Sequence, residues 1–120
     1  MSFSIDIDEA RHLLTMIRGP ELDAKELAAV QAQIVAAIRD QGVNKILVDG
    51  RQAVRAQSRA LTYEATSKAA QLYPPGIRMA AVVPPHLWDD AAFAAQVAKN
   101  RGLNFQIFGD LESARAWLGE

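Results

Sequence analysis

Two short runs, ILV at 46–48 within KILV and AAVV at 80–83, are apolar at consecutive positions instead of alternate ones. A strand with no polar side has no face for water, so it must lie inside a sheet covered above and below. Between and after these runs the apolar spacing lengthens to that of a helix face: Leu27, Val30, Ile34 and Ile38; Leu61, Ala65, Ala69 and Leu72; Phe93 and Val97; Leu111, Ala114, Trp117 and Leu118. NFQIF at 104–108 supplies a last strand. Buried strands alternating with amphipathic helices specify an α/β sheet, parallel wherever a helix joins two strands.

The punctuation agrees with this division. Asp23 and Glu26 stand at capping-box spacing before the first helix, and Gly42 ends it. A second helix is expected over 58–72, broken by Tyr73-Pro74-Pro75-Gly76. Pro84-Pro85 stops the AAVV strand, a third helix ends near Gly102, and Asp110 caps the last one. The N-terminus is locally ambiguous. Phe3, Ile5 and Ile7 alternate with Ser4, Asp6 and Asp8, which is a strand with one apolar face. Ala10, Leu13, Leu14 and Ile17 then keep helical spacing, yet HLLTMI also reads as a second strand turning back to form a hairpin.

At 120 residues, half of them hydrophobic, the chain is long enough for one domain, 1–120, with its own core. A formal net charge of -1 offers no broad attraction to nucleic acid or acidic membranes. With no cysteine there is no disulfide, thiolate nucleophile or Cys-type zinc site. No basic-then-apolar leader opens the sequence, and no run reaches the ~20 apolar residues of a membrane span. A soluble, cytoplasmic protein without membrane insertion is expected.

Three stretches in order carry a likeness: the hairpin-compatible SIDIDEARHLLTMIRGPELDAKEL, the strand and aspartate of KILVDGRQA, and RMAAVVPPHLW followed by the closing FGDLESARAWL. Together they resemble the STAS-like group of small bacterial domains, which are related to anti-sigma factor antagonists. The resemblance covers nearly the whole chain. It implies an N-terminal β-hairpin followed by alternating helix-strand units. The expected sheet is mixed, of about five strands, with helices mainly on one face. It also implies that recognition centres on the loop after KILVD and the start of the next helix. Phosphorylation-switched members of that group carry a serine directly after the aspartate. Gly50 and Arg51 stand there in this chain, so the switch is not carried over.

Asp49 ends a buried strand, where α/β folds commonly place ligands. A receiver-type phosphoacceptor would also need an early acidic pair, a hydroxyl residue after AAVV and a lysine after the next strand. Asp6 and Asp8 alternate along one strand, Pro84 follows Val83, and Phe108-Gly109 follows the last strand. The plainer role for Asp49 is to accept backbone N–H groups in a turn. Arg51, Arg55 and Arg59 recur at i, i+4 and i+8 and would share one face if the segment were helical, although Gly50 and Ser58 point to a loop. His12 and His86 have no metal-ligand partner at helical spacing, and no nucleotide-binding or nucleophile-elbow motif occurs. Trp117 fits the core, whereas Trp88 after Pro84-Pro85 could border a pocket or a partner.

The expectation is a non-catalytic regulatory or protein-interaction module. Its surface would comprise Asp49, Gly50, Arg51, Arg55, Ser58 and Arg59, with no cofactor or metal and a protein partner. The alternative is a small-ligand binder for a nucleotide or lipid-like molecule. An enzyme using Asp49 or His86 is a third reading and lacks a partnered nucleophile. Self-association through the hairpin edge is also open.

Overall fold

A computed structural model of the chain describes residues 2–120. The N-terminal ambiguity resolves as a hairpin: β1 (Phe3–Asp8) and β2 (Leu13–Arg18) pair antiparallel. There follow α1 (Ala24–Gln41), β3 (Lys45–Asp49), α2 (Arg59–Leu72), β4 (Arg78–Val82), a short 3-10 turn at Pro85–Leu87, α3 (Trp88–Asn100), β5 (Asn104–Phe108) and α4 (Leu111–Leu118). The sheet has five strands in chain order, and every pair after the hairpin is parallel. The α/β class, the hairpin and the alternating units expected from the sequence are thus present. No helix among the described residues is long and apolar enough to cross a membrane.

The hairpin wins over a helix at 9–18 because of what each face meets. On β2, Leu14 and Met16 enter the main core with Ile46 of β3 and Val30, Ile34 and Ala37 of α1. Leu13 enters a second core with Leu47 and Leu118. Only a strand presents neighbouring residues to opposite layers. The tight turn sets His12 at φ 56, and its carbonyl accepts from the N–H groups of Asn44 and Lys45 at the start of β3.

The two cores define the layering. One contains Phe3, Leu14, Met16, Ile46, Ala69 and Tyr73 and is roofed by α1 and α2, with α3 flanking α2 over β5. The other contains Leu47, Ala80 and Val82, covered by Ala114 and Leu118 of α4. Helices therefore lie mainly on one face, with α4 alone on the other.

The caps appear where the sequence placed them. Asp23 accepts from the Glu26 N–H while the Glu26 carboxylate accepts from the Asp23 N–H. Ser58 and Asp110 cap α2 and α4. Helix α2 is the exception in its packing. Of the residues expected inward, Ala69 is buried, Leu61 and Ala65 are half-buried, and Leu72 is 45% exposed. The backbone of α2 approaches α3 and α1 closely but stands off the strands.

At the end of β3 the chain passes very near β4. The Gly50 N–H donates to the Val82 carbonyl at 2.9 Å, and a Cβ on Gly50 would lie 2.6 Å from that oxygen. Glycine is required for this approach, since any side chain displaces backbone. Gly50→Ala is expected to cost about 1–3 kcal/mol in urea unfolding, the range for overpacking a closed site. Gly109→Ala, where an added Cβ meets nothing within 4 Å, should stay within about 0.5 kcal/mol.

Candidate functional site

The strand-end residues divide between the two faces of the sheet. Side chains alternate along β3, so Asp49 follows Leu47 towards the α4 side, while Val48 faces the helices above. Asp49 is only 5% exposed. Its Oδ1 accepts from the Arg51 backbone N–H at 3.1 Å and from Arg51 Nε at 2.9 Å, and its Oδ2 accepts from Arg51 Nη2 at 2.8 Å. This is a turn closed by a bidentate guanidinium. The Arg51 side-chain bond holds the Asp49 carboxyl below the usual carboxylate range against the opposing effect of burial, and Arg115 of α4 adds to the same field. Both oxygens of Asp49 are engaged.

The three arginines do not share a helical face. Residues 50–58 form an extended loop, and α2 begins only at Arg59. Arg51 is held by Asp49, Arg55 lies 3.4 Å from Glu21, and Arg59 lies 3.8 Å from Asp90 with its guanidinium 4.7 Å above the Phe93 ring. Each cation has an acidic partner of its own, so they form no joint clamp. The helical spacing of 51, 55 and 59 fails because Gly50, pulled against Val82, starts a turn.

The loop itself is firmly tied. The N–H groups of Val54 and Arg55 both donate to the Pro20 carbonyl, at 2.9 and 3.1 Å. Arg18 Nη2 donates to the Arg55 carbonyl at 2.8 Å, and His86 Nε2 lies 3.0 Å from the Val54 carbonyl. His86 is thereby a loop tether, and no nucleophile is paired with it. Val54 remains 57% exposed at the crest, between Arg51 and Arg55.

Beneath α2, on the face opposite Asp49, two cavities of about 160 and about 180 Å³ lie side by side. Arg18, Val48, Gln57, Thr62 and Ala81 line both. The first runs outward past Gly50, Pro84 and Asp90; the second runs inward past Met16, Val30, Met79 and Tyr73. Well-packed interiors hold few voids larger than a water molecule. Each of these is comparable to an apolar cavity of about 150 Å³ that admits benzene. The walls are mainly aliphatic, with Arg18, Gln57 and Thr62 at the junction and Gln31 and Tyr73 at the inner end. Burial pushes the Tyr73 phenol up to about 12, partly opposed by Gln31.

The roof over this space is held at its edges. Gln31 of α1 donates to the Ala65 carbonyl at 3.0 Å. On the other flank Arg59 meets Asp90 and Phe93, and Arg101, the residue just after α3, donates to the Tyr63 hydroxyl and lies over its ring at 5.4 Å.

Of the six residues expected to form a surface, Gly50 alone lines either of these two cavities, while Arg55 lines a separate depression beside Glu21 and Asp23, and Trp88, as the sequence suggested, borders another along β5. Asp49 and Arg51 pair on the opposite face, while Arg55, Ser58 and Arg59 sit along the loop and the α2 start. Arg18, Gln57 and Gln31 were not singled out from the sequence, and Tyr73 was read there as part of a helix break. A signal existed for Arg18: it continues the Leu14–Met16 parity of β2 and so carries a charge onto the core-facing side. The chain matches no protein-family model, and no curated protein matches it.

Two outcomes follow from the ionisable groups. Asp49→Asn is expected to lower stability by about 1 kcal/mol at neutral pH, below the range of about 1.5–3 kcal/mol for a hydrogen bond to a charged group because Arg51 is exposed to solvent. A carboxyl depressed in the fold stabilises above the unfolded-state value of about 4 and loses that contribution as pH falls through its folded value. The gap between wild type and Asp49→Asn in chemical unfolding should therefore close on acidification below about pH 4. Tyr73 is raised, so its contribution is lost as pH rises from about 10, the unfolded value, through about 12. Tyr73→Phe should lack that alkaline loss.

Proposed function

We propose that this chain is a non-catalytic binding module of the STAS-like kind that holds a small apolar molecule between α2 and the sheet. The supporting observation is the paired cavity. It lies in the main core, is lined by aliphatic side chains with a few converging polar groups, and is roofed by a helix with one buried residue. Sites for small molecules have this composition, and the two spaces joined fall just inside the lower end of their usual volume, about 300 Å³. The engagement of Asp49 by Arg51 and of His86 by the Val54 carbonyl favours binding over catalysis. The order of hairpin, helices and strands supports the STAS-like reading, and a cytoplasmic setting suits it.

A protein-partner role for the loop is a second reading, favoured by one observation. Val54 is exposed on a backbone pinned to Pro20, Arg18 and His86, which presents an apolar contact between two cations on a rigid support. The two readings are compatible, because the loop forms one wall of the outer cavity.

Thermal-shift screening against small apolar molecules tests the main reading. A member at ~100 times its Kd should add about 2.7 kcal/mol of stability. Ala65→Phe, which projects a ring from α2 into the inner cavity, should abolish the shift without lowering the melting temperature of the free protein. A broad panel that produces no shift would sink the reading.

A further inference from the structure

We propose that Arg18 is a carboxylate-binding residue, and that the ligand of the cavity beneath α2 is a medium-chain aliphatic monocarboxylate. This rests on the binding reading above and adds the chemistry of the head group.

Arg18 is half-buried at the last position of β2 and lines both cavities at their junction. Its protein partners are carbonyl oxygens only. Nη2 donates to Arg55 at 2.8 Å, and Nε makes a long 3.4 Å contact with Gly19. Among the described residues no carboxylate lies within 4.0 Å of its guanidinium, whereas Arg51, Arg55 and Arg59 each have one. Desolvation lowers the Arg18 pKa, which marks a cation stripped of water without an anion in return. A buried cation ordinarily has a paired anion.

The geometry selects the class of anion. A guanidinium carries five N–H donors, and the two carbonyls leave Nη1 and one Nη2 hydrogen free. Those donors form the end-on fork that takes the two oxygens of a carboxylate. Among the described residues one guanidinium is the only cation lining either cavity. It balances a monoanion, and a phosphate dianion would leave charge uncompensated. Gln57 and Thr62 beside it can hydrogen-bond the same head. Asp90 at the outer rim is drawn to Arg59, and its negative charge directs an anionic head towards Arg18. The tail then runs inward among Met16, Val30, Met79 and Ala69. Each cavity admits about a benzene-sized group, so a chain of medium length fills the pair.

Octanoate and octanol share a tail and differ in the head, and calorimetric titration of both into the full chain tests the assignment. Wild type should bind octanoate at least tenfold more tightly. Arg18→Gln should lose that preference while its octanol affinity stays within about twofold of wild type, since neutral tail burial is untouched. Arg18→Lys should keep part of the preference. If Arg18→Gln fails to fold, the Arg18 Nε–Hε resonance of wild type decides: it should shift with octanoate and not with octanol. Equal wild-type affinities, a preference surviving Arg18→Gln, or an unmoved resonance would each overturn the assignment. Should neither probe bind while neutral apolar compounds still raise the melting temperature, the carboxylate assignment falls and the cavity reading stands. Should nothing bind, both fall.

Discussion

The constraint on which this fold depends is that β3 and β4 have no side that tolerates water. Ile46 and Leu47, adjacent in sequence, are both fully buried, and so are Ala80 and Val82. The chain must therefore supply two covers. α1, α2 and α3 provide one, and α4 provides the other from only eight residues. Arg78 secures that short cover by donating to the carbonyls of Trp117 and Leu118, which satisfies acceptors at a helix end that would otherwise lack partners. Glu120, its side chain buried, is gripped by Lys45 of β3 and by Arg11.

Two-sided burial also explains why neighbouring residues at one strand end serve different purposes. Asp49 closes a turn with Arg51 on the α4 side. Val48 and Gly50 belong to the opposite layer, where α2 stands off the sheet. Asp49 and the cavity thus share one end of the sheet and lie on opposite faces of it. The pair at Asp49 organises the loop, and the loop in turn supplies Gln57 and Ala53 to the outer cavity.

Much of the fold could be read from the sequence because it is written in strong, redundant signals. The apolar runs of β3 and β4, the capping box of α1 and the proline breaks each allow one structure. The hairpin could not be decided locally, since Leu13, Leu14 and Ile17 satisfy both periods; its partners Ile46, Leu47 and Leu118 decide it, and they lie far along the chain. The candidate site was less readable. The arginine spacing imitates a helix face where Gly50 enforces a turn. The cavity is a property of where α2 stops approaching the strands, and no residue in α2 announces that distance. Only Arg18, charged at a core-facing register position, could have drawn attention beforehand.

The strand order has a consequence for how the protein comes into being. Each strand pairs with the one made just before it, so the sheet can grow in the order of synthesis without waiting for a distant segment. The cover is another matter. Among the described residues, Leu47, Ala80 and Val82 form a patch that α4 alone seals, and α4 is made after all five strands. During synthesis one face of a nearly complete sheet is bare, the condition in which apolar surface recruits other chains. The turn capped by Asp110 is thus the step that brings α4 over that patch and closes it.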